Sequence, residues 1–113
     1  MELSFNEYQD LTASTAVYRN KKLGPIIYPS LKLPGEAGEV SEKIGKIIRD
    51  GDIDNITHED RMEIAKEIGD VLWYCAALAE DLGFELGKIA QMNLDKLFDR
   101  AKRGVIGGSG DNR

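Results

Sequence analysis

Four carboxylates stand out by their spacing: Glu36 with Glu39, then Glu67 with Asp70. Members of each pair are three residues apart, so on a helix each pair projects from one face. At about 100° per residue, Glu36 lies beside Val40 and Ile47 at the rim of an apolar stripe, with Glu39 one step further out. Glu67 flanks Val71 and Leu78 in the same way, with Asp70 and Tyr74 beside it. Both pairs therefore border the seam where two such helices meet, and side-by-side packing makes four carboxylates face one another across a cleft. Without a cation this is costly. Like charges at helical spacing oppose each other, and in a partly dry cleft they raise each other's pKa values. A hard divalent ion removes the conflict. Oxygen-only donors suit Mg²⁺, with Mn²⁺ as a substitute, and Mg²⁺ characteristically shares its shell with water and phosphate oxygens. The single histidine, His58, sits near a helix start, which argues against zinc and against di-iron bundles built on Glu-x-x-His. An isolated acidic pair on a helix is ordinarily a solvated face, and Glu42, Glu59, Glu63 and Asp81 are read that way.

A second group lies downstream. Asn93, Lys96 and Arg100 share a face with Ile89, and Asn93 falls inside the stripe of Leu86, Ala90 and Leu97. A buried amide needs partners, either a ligand's base, sugar or phosphate or a nearby helix end. Lys96 and Arg100 can neutralise phosphate or serve as ordinary rim charges. Phe5, Tyr8, Tyr18 and Tyr28 can stack on a ring, although core or interface packing is the commoner use of such residues.

The elements that must position these side chains are helices. Pro and Gly cluster between residues 24 and 35, Gly51 and Gly83 mark two further breaks, and Gly104 opens a glycine-rich tail. No segment alternates apolar and polar residues as a strand does. The first helix starts near Ser4, which forms a capping box with Glu7, and runs to about Lys22. The second runs from Leu31 or Gly35 to Asp50, with Pro34 suited only to its first turn and Gly51 as a left-handed cap. The third starts at Thr57 and ends before Gly83; the fourth covers about Glu85 to Arg103. Short connections predict an all-α, four-helix antiparallel bundle, one domain over residues 1–113 with a flexible tail from about 104. Residues 71–79, VLWYCAALA, carry no charge. A helix apolar on all sides must be covered on all sides, so the third helix, with Trp73 facing outward, is expected to bury itself against another subunit; cover by the N-terminal helix or the tail is the alternative. A net charge of −5 speaks against nucleic acid or an anionic membrane as the main partner. The lone Cys75 suits a reducing cytoplasm, and no leader or spanning segment is expected.

These residues resemble the MazG-like family of all-α nucleoside triphosphate pyrophosphohydrolases. The resemblance rests on GEAGEV (35–40) and KEIGDVLWY (66–74), and extends to EYQDLTASTAVY, MNLDKLFDR and the terminal GSGDNR. It implies a helical core assembled as a homodimer or homotetramer, and Mg²⁺-dependent conversion of a (d)NTP to a (d)NMP and pyrophosphate by metal-assisted attack of water. It implies that Glu36, Glu39, Glu67 and Asp70 are the catalytic metal ligands, with Glu36 or Glu39 on the proton-accepting side. It implies that Tyr74 and Asn93 contact the nucleotide, and that Lys96 and Arg100 lie near phosphate. Pro34 departs from the small residue common there in relatives. Relatives restricted to dUTP or dCTP, or acting on phosphoribosyl-ATP, share the carboxylates. A non-catalytic helical dimer that binds nucleotide or protein is the rival of another class.

Overall fold

A computed structural model describes residues 2–113. Helix α1 spans Phe5–Thr12, α2 spans Ile27–Asp50, α3 spans His58–Asp81 and α4 spans Leu86–Arg103, with short 3-10 turns between them and no strand among the described residues. The chain is therefore all-α, with the four helices that the Pro and Gly breaks predict.

Each boundary has a local cause. The Ser4 hydroxyl accepts the Glu7 N–H at 3.1 Å, and the Glu7 carboxylate accepts the Ser4 N–H at 3.0 Å. Thr57 caps α3 by accepting the Asp60 N–H at 3.1 Å. Helix α4 stops at Gly104, which takes the left-handed φ of 75°. Three sequence expectations are corrected. The first helix ends at Thr12 rather than near Lys22, because hydroxyls in the run Thr12 to Thr15 compete for backbone carbonyls. Thr12 donates to Gln9 O at 2.7 Å, Ser14 to Leu11 O at 3.0 Å and Thr15 to Thr12 O at 3.1 Å. The chain then tightens into 3-10 turns at Ala13–Thr15 and Val17–Asn20. The second helix begins at Ile27, earlier than Leu31 or Gly35, and Pro34 lies inside it. Pro29 takes the first-turn position, where a missing N–H leaves no partner unmet. Gly51 is not left-handed; its φ is −122°, and its N–H returns to Ile47 O at 2.9 Å.

Helix α2 lies along α3 in the most extensive contact of the fold, while α1 packs on α3 and α4. Two side chains of α1 serve the far end of the chain. Gln9, 3% exposed, accepts the Leu86 N–H at 2.8 Å and donates to Phe84 O at 2.9 Å. Asn6 accepts the Gly87 N–H at 2.8 Å and donates to Glu85 at 2.7 Å. Together they satisfy free donors at the N-terminus of α4, which its own N-cap residue Glu85 leaves unmet.

The N-terminal segment covers one side of the charge-free stretch of α3. Ala76, Ala77 and Ala79 are buried, and Ala77 clusters with Ala16 and Tyr18, with Trp73 packed against that cluster. Elsewhere α3 stays open: Met62 and Ile68 are exposed. The radius of gyration is 17.0 Å, against about 13 Å for a compact chain of this length. The chain exposes 8262 Å², where a compact monomer of its mass exposes about 6,200 Å². No helix is long and apolar enough to cross a membrane.

Candidate active site

Packing of α2 on α3 brings Glu36, Glu67 and Asp70 together. One carboxylate oxygen from each lies within 4.8 Å of the others. Glu36 and Glu67 are half-buried and Asp70 is exposed, so the group opens to solvent on one side. Glu39 is exposed and stands outside this trio. Lys43, on α2 beyond Glu39, places its ammonium 4.0 Å from Glu67 and 3.8 Å from Glu63, offsetting part of the negative charge. Three converging carboxylates with no nitrogen or sulfur donor among them fit a hard, oxygen-seeking divalent cation with room left for water or phosphate.

Two of the trio, Glu36 and Asp70, edge a cavity. Glu36, Asp70, Thr15, Trp73 and Tyr74 line an open space of about 390 Å³. Thr15, Trp73 and Tyr74 are also a wall of a second space of about 340 Å³, completed by Tyr18, Tyr28 and the 21–24 loop with Lys21 and Lys22. Acidic and aromatic spaces thus run side by side. Tyr18 and Tyr28 stack at 5.2 Å, and Trp73 meets Tyr74 edge-on at 4.9 Å. Trp73 donates its indole N–H to the Thr15 hydroxyl at 3.0 Å. The tryptophan expected to face outward is therefore held by the N-terminal segment and forms part of the cavity wall. Burial, then the neighbouring Tyr28 hydroxyl, with Glu36 and Asp70 adding their charge, pushes Tyr74 up to about 12. Burial, then the hydrogen bond to Asp81, pushes Tyr18 up to about 12. Both hydroxyls keep their protons at neutral pH, so Tyr74 remains a donor beside the acidic trio.

The model of the MazG nucleotide pyrophosphohydrolase domain matches residues 30–105, a stretch that contains all four carboxylates. The chain belongs to the MazG family. It is similar to the Gene 37 protein of Mycobacterium phage L5, with 44% identity over 110 residues, covering 94% of this chain and 96% of that protein. No solved structure matches the chain.

Within this MazG chain, α4 does not join the acidic trio. Asn93 is exposed rather than buried in the apolar stripe, and with Ile89, Met92 and Lys96 it lines a separate shallow space of about 250 Å³. Lys96 pairs with Asp111 of the tail at 3.0 Å. Arg100 is buried to 4% exposure and donates to Asp111 O at 2.7 Å and to the Asp111 carboxylate at 3.3 Å, while its Nε has no partner. The tail turns back over the end of α4, where Arg103 donates to Arg113 O at 2.6 Å and Arg113 donates to Ile106 O at 2.9 Å.

Asp81 requires correction. It is not a solvated charge: its side chain is 3% exposed and bonded to Tyr18, Arg19 and the Ile26 N–H. Burial pulls its pKa up, but those donors outweigh burial and hold it below the ordinary carboxyl value. One sequence signal points to it. A carboxylate on the last residue of a helix opposes the helix dipole and calls for cationic or N–H partners. The second cavity wall at residues 21–24 and the capping pair Asn6 and Gln9 carry no comparable signal.

Proposed function

We propose that this chain is a Mg²⁺-dependent nucleoside triphosphate pyrophosphohydrolase, converting a (d)NTP to a (d)NMP and pyrophosphate. The observation that carries the reading is the convergence of Glu36, Glu67 and Asp70 at the edge of an aromatic-walled cavity in a chain of the MazG family. Glu39, on the same face of α2 as Glu36, supplies a fourth carboxylate to the set. Bound by these groups, Mg²⁺ (or Mn²⁺) supplies positive charge to the triphosphate oxygens and a Lewis acid for the charge that develops as the bond breaks. Glu36 or Glu39 accepts the proton of the attacking water. The new oxygen bond forms at the α-phosphorus, the bond from that phosphorus to its bridging oxygen breaks, and pyrophosphate leaves. The Tyr74 hydroxyl, protonated at neutral pH, donates to the nucleotide. Tyr18, Tyr28 and Trp73 hold the flat base in the adjoining space, where stacking excludes water. Asn93, Lys96 and Arg100 stand apart from the trio in the single chain, and a nucleotide or phosphate contact is assigned to them from the family resemblance alone.

Residues 1–113 act as one domain, assembled as a homodimer or homotetramer of antiparallel helical bundles through the open faces of α3 and its neighbours. The excess of exposed area and the extended shape support this assembly. A cytoplasmic setting, without nucleic acid or membrane as partner, follows from the acidic charge and the nucleotide substrate. The test is product analysis over a panel of ribo- and deoxynucleoside triphosphates and phosphoribosyl-ATP, with Mg²⁺ and with chelator. Monophosphate and pyrophosphate in equal amounts, formed only with metal, are the expected result. Orthophosphate release, or no turnover of any nucleotide, contradicts the reading. The same panel separates a broad enzyme from one restricted to dUTP, dCTP or phosphoribosyl-ATP.

A further inference from the structure

Asp81 ends α3 and lines neither of the two cavities. Its oxygens nonetheless collect three donors from one short stretch of chain. Oδ2 accepts from the Tyr18 hydroxyl at 2.7 Å and from the Ile26 N–H at 2.9 Å, and Oδ1 accepts from Arg19 Nε at 2.7 Å. Arg19 is fixed in turn, since Nη2 donates to Ala77 O at 3.2 Å and the guanidinium lies 5.4 Å from the Tyr18 ring centre. One buried carboxylate on α3 thus holds the 3-10 turn, the following loop and the start of α2.

That stretch is the outer wall of the aromatic space, and its backbone is strained. Leu23 and Ile26 adopt φ of 61° and 68°. A β-branched residue stays in that region only when its surroundings force it to. For Ile26 the surroundings include Asp81, which holds its N–H. Two residues further on, Tyr28 stacks on Tyr18. The Ile26 N–H bond is thus one of the ties on this backbone and on the Tyr18–Tyr28 stack, whereas Asp81 makes no hydrogen bond to Glu36, Glu67 or Asp70.

We propose that Asp81 is the positioning residue for nucleotide affinity: it holds the aromatic wall in the shape that accepts a base, and it takes no part in the phosphate chemistry. The inference rests on the nucleotide reading above and adds to it a residue outside the carboxylate site.

The experiment compares two ligands by calorimetry in Mg²⁺. One is a nucleoside triphosphate with a methylene bridge between the α and β phosphorus atoms, which resists cleavage there; the other is inorganic triphosphate, which has no base. The variants are Asp81→Asn, nearly isosteric but placing an amide N–H against an N–H or O–H donor, and Arg19→Met, which keeps the carboxylate and decides the matter if the first variant does not fold. In the wild-type protein the nucleotide binds more tightly than triphosphate. Asp81→Asn weakens the nucleotide by about tenfold or more, the worth of a stacked base, and leaves triphosphate binding unchanged; Arg19→Met shows a smaller loss of the same kind. In turnover the same change raises KM and spares kcat. Parallel weakening of both ligands, or no weakening of either, overturns the proposal. A wild-type protein that binds triphosphate as tightly as nucleotide also overturns it, while leaving the metal-phosphate site intact. A wild-type protein that binds neither ligand brings down the nucleotide reading itself.

Discussion

The acidic residues show where local sequence pattern is sufficient and where it is not. The carboxylate quartet is legible because helical spacing alone puts each pair on one face, and Glu36, Glu67 and Asp70 do converge. Asp81 is not legible in that way, because its partners lie 55 to 63 positions away in the chain. Its depressed pKa has a thermodynamic consequence. A carboxyl whose folded-state pKa is lowered contributes stability that is present above its unfolded value and lost as pH falls through its folded value. The account therefore expects stability to decline as pH falls below the ordinary carboxyl value of 3.8, and expects Asp81→Asn to remove its share of that decline; urea denaturation from pH 2 to pH 6 measures it, with other acids titrating equally in both proteins. Gly24 gives a steric test. A Cβ there would lie 1.9 Å from the Tyr18 carbonyl oxygen, a collision with backbone that cannot swing aside. Gly24→Ala should cost about 2–3 kcal/mol or more, read as a lowered midpoint in chemical denaturation, with weakened nucleotide binding at the loop it distorts.

At the scale of elements, helix identity follows from apolar periodicity, and the starts of α1 and α3 follow from their capping residues. The errors fall where side chains compete with the backbone or where distant contacts decide. The Thr and Ser run that ends α1 offers alternative partners to its carbonyls, which a periodicity reading ignores. The early start of α2 is tied to the rest of the fold by Asp81 of α3, which accepts the Ile26 N–H, and by Tyr18, which stacks on Tyr28. Pro34 lies inside α2, whose first turn holds Pro29, a fully buried side chain. Capping of α4 by α1 is equally nonlocal. Gln9→Ala leaves the Leu86 N–H and the Phe84 carbonyl without their partner. The loss should be about 2 kcal/mol, seen as a shift in denaturation midpoint with an unchanged slope. Because the carboxylates sit on α2 and α3, this variant should keep its metal affinity.

The single chain is open for its size. Its exposed area and radius both exceed those of a compact chain of this mass. The charge-free stretch of α3, expected to need a second subunit, is not where that area lies: none of residues 71–79 is exposed, and the N-terminal segment packs over part of it. If α3 carries the interface, Ile68→Glu, at a residue 55% exposed in the single chain, should shift the sedimentation coefficient to that of the monomer; an unchanged assembly would place the interface elsewhere. The proposed activity depends most on a divalent ion shared by α2 and α3. Titration with Mn²⁺, followed by the paramagnetic signal of the free ion, tests this directly in the wild-type protein and in Glu67→Gln. The wild-type protein should take up the ion, and the variant should bind it about tenfold or more weakly while remaining folded. Equal uptake by both proteins, or none by either, would contradict the account.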